Sequence, residues 1–169
     1  MKLVGTILII ISSTGLGFVV ARQFILRSKQ LKQIKLALEL LQTEISYGIT
    51  PLPQAFEKIA SELDAPVDNF FVEAREGLKA GQTAKDAWQQ AVKKVISQTA
   101  LGQTEEDVLL DFGCNLGQST SDDQLRYLNL AQDHINNLHQ EAITDQKEKV
   151  KLWRYLGVLG GLFIVILIF

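Results

Sequence analysis

The sequence predicts an all-α protein: a six-helix cytoplasmic bundle flanked by N- and C-terminal transmembrane helices that are continuous with the first and last helices of the bundle. Three observations predict it. Uncharged apolar runs occupy the two ends, Leu3–Ala21 and Tyr155–Phe169. The polar middle repeats apolar residues at spacings of three and four, the period of a helix with one buried face. Only 3 prolines and 12 glycines interrupt the 169 residues, and no strand-like alternation persists. The expected division is residues 3–21 as a first span, 22–154 as a helical domain and 155–169 as a second span.

The first run, LVGTILIIISSTGLGFVVA, has 19 residues. A bilayer core of ~30 Å needs about 20 apolar residues at ~1.5 Å rise. It exceeds the ~7–15 apolar residues of a signal peptide and lacks a polar cleavage region, so an uncleaved anchor is expected. Beyond it, Leu31, Ile34, Leu38, Leu41 and Ile45 form one stripe, and the helix should stop near Tyr47-Gly48. Thr50-Pro51 should open a second helix, Thr as N-cap and Pro at the first helical position, with Leu52, Ala55, Phe56, Ile59 and Leu63 inward. Pro66 separates it from a third helix carrying Val67, Phe70, Phe71, Ala74 and Leu78, closed by Gly81. Thr83-x-x-Asp86 resembles a capping box opening a fourth helix, with Ala84, Ala87, Trp88, Ala91, Val92 and Val95 inward. Thr104-x-x-Asp107 should open a fifth, with Val108, Leu109, Phe112 and Leu116 inward and Gly117 at its end. Ser121-x-x-Gln124 should open the sixth, with Leu128, Ala131, Ile135, Leu138 and Ala142 inward. No breaker follows up to Arg154, so that helix should run into the second span, where Trp153 and Tyr155 suit the headgroup level.

Charge distribution sets the expected topology. Residues 22–35 carry five basic side chains (Arg22, Arg27, Lys29, Lys32, Lys35) and no acid. Residues 147–154 carry Lys147, Lys149, Lys151 and Arg154 against Glu148, whereas residues 36–146 hold 7 basic and 18 acidic side chains. Basic flanks at both membrane-proximal ends place the middle region in the cytoplasm and both termini on the far side.

Motifs for chemistry are missing. There is no G-x-x-x-x-G-K-[ST] phosphate loop, and Gly15-x-Gly17 lies in the apolar run without a preceding strand. One cysteine, Cys114, excludes a disulfide scaffold and multi-cysteine metal sites, and reads as a packing residue. His134 and His139 are five apart, a poor spacing for a shared helical metal site. No catalytic residue, cofactor or metal is expected, and the acidic balance argues against nucleic acid. Glu105, Glu106, Asp107 and Asp111 remain as candidates for partner docking, beside a plain role in complementing a helix dipole. Gly157-x-x-x-Gly161 and the weaker Ser13-x-x-x-Gly17 have the small-residue spacing that lets membrane helices approach closely.

The ordered features also resemble a known family. A first span leads to Tyr47-Gly48-Ile49-Thr50-Pro51-Leu52. Gly77-Leu78-Lys79-Ala80-Gly81-Gln82-Thr83 then precedes Ala87-Trp88. Asp111-Phe112-Gly113-Cys114-Asn115-Leu116-Gly117 is followed by Asp122-Asp123-Gln124, and the chain closes on Leu156-Gly157-Val158-Leu159-Gly160-Gly161. The whole chain resembles the stage III sporulation protein AB family of endospore-forming bacteria. That resemblance implies a place in the secretion-like channel between mother cell and forespore. It also implies a helical module similar to that of type II secretion and type IV pilus platform proteins, which carry two such modules where this chain has one. The implied partners are the channel's cytoplasmic ATPase and other membrane proteins of the same channel; self-association is left open. From the residues themselves, a membrane-bound signalling adaptor stands as the alternative to a platform.

Overall fold

The structure, a computed structural model, describes residues 2–47, 50–117 and 121–168. It is all-helical over these residues: α1 (Lys2–Tyr47), α2 (Leu52–Ser61), α3 (Asp68–Lys79), α4 (Ala84–Val95), a 3₁₀ turn (Ile96–Gln98), α5 (Gln103–Cys114) and α6 (Ser121–Ile168). The two apolar runs are therefore parts of α1 and α6, unbroken into the polar sequence on either side. Gly48, the expected stop of the first helix, lies outside the described residues, as does the side chain of Ser121.

The chain divides into two compact units, one of Lys29–Gln140 and one of Met1–Ser28 with Glu141–Phe169. In the first, α2 packs on α3, α3 on α4 and α4 on α5. Most of the inward stripe residues are buried, among them Leu31, Ile34, Leu38 and Leu41 of α1, Ala55, Phe56 and Ile59 of α2, Phe70, Phe71 and Ala74 of α3, and Leu128, Ala131 and Ile135 of α6, whereas Ile45, Leu52, Leu63, Leu78, Ala84, Val108 and Leu138, also expected inward, are only half-buried. Gln42 donates to Asn129 at 2.8 Å and Lys35 to Asn136 at 2.9 Å, so α1 and α6 run antiparallel here. Buried Gln30 of α1 accepts the Ala100 N–H at 2.8 Å, which ties the turn after α4 to α1. The Ala65–Pro66 bond between α2 and α3 is cis.

Trp88 of α4 is the centre of this core. It is 1 % exposed, and its ring meets Phe71 at 5.2 Å, Phe112 at 5.4 Å and Phe56 at 5.9 Å between centroids. Its indole Nε1–H donates to the Leu109 carbonyl at 2.7 Å, so the one polar atom of the ring is satisfied inside. Four helices thus share one aromatic cluster.

Helix starts follow the sequence at one place and depart from it at two. Thr83 Oγ1 accepts the Asp86 N–H at 3.1 Å, the expected cap of α4. In α2 the helix begins at Leu52, one residue later than Thr50-Pro51 predicts: Pro51 itself takes the cap position, with φ −57° and ψ 140°. Its carbonyl accepts the N–H groups of Gln54 and Ala55, so the turn closes without a side-chain cap. In α5 the helix begins at Gln103, so Thr104 is already inside it and Gly102 takes the cap. Leu116, expected on this helix, is buried just beyond its end. Gly81 (φ 86°) and Gly117 (φ 75°) take the left-handed conformation that ends α3 and turns the chain after α5.

In the second unit, α1 and α6 are again antiparallel. Arg27 pairs with Asp145 at 3.4 Å and Glu141 at 3.5 Å. Both helices are long and apolar enough to cross a membrane, and only 11 % of each apolar window is buried. A soluble core helix of that composition would be mostly covered. Ile7, Leu8, Ile11 and Leu16 of α1, and Leu159, Phe163, Ile166 and Leu167 of α6, are instead exposed.

Candidate functional site

The acidic candidates separate once α5 is built. Glu105 is 1 % exposed. Its Oε2 accepts the Gly102 N–H at 2.9 Å, satisfying one of the donors a helix start leaves open. Glu105 therefore caps the helix from inside and does not present a charge to a partner. The signal was in the sequence as Gly102-x-x-Glu105, the acid-to-cap half of a capping box. Glycine offers no side chain to the reciprocal half. Glu106 is half-buried, while Asp107 and Asp111 are exposed. Asp107 Oδ1 accepts Gln103 Nε2 at 3.0 Å along the same face. Asp111 follows Asp107 by one turn and lies well past the helix start.

Asp111 is also at the edge of a groove that sequence reasoning did not find. α5 and α6 part there to leave an opening of about 230 Å³, lined by Asp111, Phe112 and Cys114 on one side and Tyr127, Leu130 and His134 on the other. Leu130 is 53 % exposed. The pattern of α6 points Ala131 and Ile135 inward and leaves Leu130 outside that stripe, an outlier that only the neighbouring groove makes meaningful. Cys114 accepts a hydrogen bond from Gln89 Nε2 at 3.4 Å, consistent with a packing residue. No cluster of His, Cys, Asp or Glu suited to a metal ion occurs among the described residues.

The small residues of the two apolar segments come together. Ser13 Oγ donates to the Gly157 carbonyl at 2.7 Å. A methyl group at Gly17 would meet the Trp153 carbonyl at 2.7 Å, and one at Gly157 would meet the Gly17 Cα at 3.1 Å. One at Gly161 would lie 3.2 Å from Ser13 Cβ. Ser13, Gly17, Gly157 and Gly161 therefore form one backbone-to-backbone contact between α1 and α6, within a single chain.

The model of the stage III sporulation protein AB family matches residues 2–169. The chain belongs to this family. A curated relative, stage III sporulation protein AB of Bacillus subtilis (strain 168), is 35 % identical over 169 residues, 99 % of each chain. A solved structure of stage III sporulation protein AB matches with a TM-score of 0.70 and 35 % identity, over 73 % of this chain and 98 % of its own.

Several of the segments that carry the family resemblance are explained by packing. A methyl at Gly113 would come closer than 3.0 Å to Trp88 Cδ1, one at Gly77 would meet Ala87 Cβ at 2.8 Å, and one at Gly117 would meet Ala84 Cβ at 3.0 Å. These glycines let α3 and α5 close on α4. The candidate docking groove is thereby held to the aromatic core through Phe112 and Gly113.

Proposed function

We propose that this chain is a non-enzymatic membrane platform of the mother cell–forespore channel in sporulation, docking a cytoplasmic ATPase and anchoring the channel assembly. Residues 3–21 and 155–169 cross the mother-cell membrane that faces the forespore, and residues 22–154 form the cytoplasmic domain. Family membership supports the sporulation role. The topology rests on the basic flanks of a strongly acidic middle region.

The observation that carries the docking reading is the pairing of Asp107 and Asp111, both exposed, with the open α5–α6 groove and its exposed Leu130. Acidic groups beside an apolar opening suit a basic, amphipathic surface: charge steers the encounter and apolar contact holds it. Exposed charges are screened over ~8–10 Å at physiological ionic strength, so binding should weaken as salt rises.

The test has two arms. Crosslinking and mild-detergent purification from sporulating cells should recover an ATPase and membrane channel components with this chain; recovery of a kinase or transcription regulator instead would favour the adaptor. In titrations at two salt concentrations, Glu106→Lys/Asp107→Lys/Asp111→Lys should bind the ATPase more weakly than the parent, with helical content and melting unchanged. Parent-like binding by the folded variant would reject the acidic face as the docking surface.

A further inference from the structure

The unit formed by the two ends of the chain sorts its cations by face. Arg27 of α1 is compensated by Asp145 and Glu141. Lys149 of α6 turns to the same acids: it pairs with Asp145 at 2.6 Å and lies 5.4 Å from the centre of the Phe24 ring. Lys147, Lys151 and Arg154 take another face of α6, at i, i+4 and i+7, so they stand one above the other. With Gln146, Val150 and Tyr155 they line a shallow recess of about 270 Å³. All three cations are exposed. Lys147 and Lys151 have no ion pair or hydrogen bond among the described residues. Glu148, the one acid in residues 147–154, forms no ion pair with them there. Arg154 is placed by a ring, with its Cζ 5.1 Å from the Phe18 centroid, a contact that orients the guanidinium without neutralising it. Tyr155 is 58 % exposed and adds a phenolic hydroxyl to the lining.

We propose that this face of α6 holds the phosphodiester headgroup of an anionic phospholipid, with Arg154 and Lys151 as its inner contacts and Lys147 as the outer one. The proposal rests on the membrane-spanning reading above. Its geometry comes from the pairing of the two apolar segments within one unit. Gly17 lies against Trp153 and Gly157, which makes it level with about Tyr155. The helices are antiparallel, so Ala21, the end of the first uncharged run, is level with about Lys151. The edge of the hydrocarbon therefore falls between the levels of Tyr155 and Lys151. Arg154 and Lys151 lie within that interval, and Lys147 stands roughly 6 Å of helix beyond Lys151. Headgroups occupy roughly 5–8 Å beyond each face of the hydrocarbon core, and a lysine stem can turn its ammonium back toward that layer. Basic side chains beside a span attract anionic lipid in general. The recess adds position: cations that line it should matter, and cations at the same level on other faces should not.

The experiment uses the full chain in nanodiscs of phosphatidylcholine, alone or with a minor fraction of phosphatidylglycerol. Lipids retained after mild re-extraction are counted by mass spectrometry. The parent should retain phosphatidylglycerol several-fold above its bulk ratio. Lys147→Gln/Lys151→Gln should fall to near the bulk ratio. Arg22→Gln/Lys149→Gln removes the same charge at closely similar levels but outside the recess, and should behave like the parent. Insertion into pure phosphatidylcholine is the control for the underlying reading, and every variant should insert. Failure of the parent to insert overturns the membrane reading and this proposal with it. Normal insertion without enrichment, or with equal loss in both double variants, overturns the proposal alone. Displacement of the retained lipid by inorganic phosphate at low concentration would assign the recess to a soluble phosphate and overturn the lipid assignment.

Discussion

Gly113→Ala tests the packing of α5 on the core through the sign of its effect. Gly113 lies inside α5 and has no positive φ, so helix propensity alone predicts a gain of about 0.8–1 kcal/mol for alanine. The structure predicts a loss. The new methyl would come closer than 3.0 Å to Trp88 Cδ1 and to 3.1 Å from Cγ. The indole has little room to yield, since Phe56, Phe71 and Phe112 surround it and Nε1 is tied to the Leu109 carbonyl. Overpacking of this kind costs about 1–3 kcal/mol, which outweighs the propensity gain over most of that range. A net loss near 1 kcal/mol lowers the melting temperature of a domain this size by a few degrees. Residues 27–150, expressed without the apolar ends, should fold as a helical, cooperatively melting monomer or weak dimer, in which circular dichroism and urea titration read the difference. Trp88→Ala alone should cost roughly 3–5 kcal/mol. In that background the obstacle is gone, and Gly113→Ala should stabilise. A single Gly113→Ala variant more stable than the parent would refute the contact; a Trp88→Ala loss below about 1 kcal/mol would refute the burial of the ring.

Two further outcomes are expected. His139 has a pKa held below its ordinary value near 6.5 by burial, then by Lys35 and Lys32. The unfolded chain therefore binds the extra proton first, so the stability contributed here is complete above about pH 6.5 and is lost as pH falls through the folded value. His139→Gln should flatten the stability slope between pH 6.5 and the onset of carboxylate titration, read by melting across buffers; an unchanged slope would show that the ring is not shielded. A reporter fused within residues 100–104, which run from the turn before α5 into its first residues, should be active only if it is a cytoplasmic type. Alkaline phosphatase activity from that fusion would overturn both the topology and the ATPase docking.

How legible the fold was depends on what kind of force fixed each part. Burial of apolar stripes leaves a periodic trace, so Leu31 to Leu41, Ala55 to Ile59 and Leu128 to Ile135 were placed correctly from spacing alone. Capping leaves a weaker trace, because several residues can satisfy the same open N–H. Thr104-x-x-Asp107 and Gly102-x-x-Glu105 overlap in the sequence, and the choice between them depends on where the chain leaves the 3₁₀ turn after Val95. Buried Gln30, which anchors Ala100 from α1, helps to set that exit. No local pattern contains that long-range bond.

The same reasoning explains why the docking candidates were only partly legible. Charge counts every acid alike, but an acid's role follows from which side of its helix it occupies. Shifting the helix start to Gln103 makes Glu105 the third helical residue, where its carboxylate turns back to the cap, and leaves Asp107 and Asp111 one turn apart on the outside. The groove beside Asp111 requires α6 as well as α5, and no pattern within α6 alone marks Leu130 as part of its lining. The close contact of α1 and α6 at Ser13, Gly17, Gly157 and Gly161 was more legible because small-residue spacing is itself the recognition code. That contact is used up within the chain. On the proposed platform reading, a partner in the bilayer would meet the outward residues of α1 and α6 rather than these glycines.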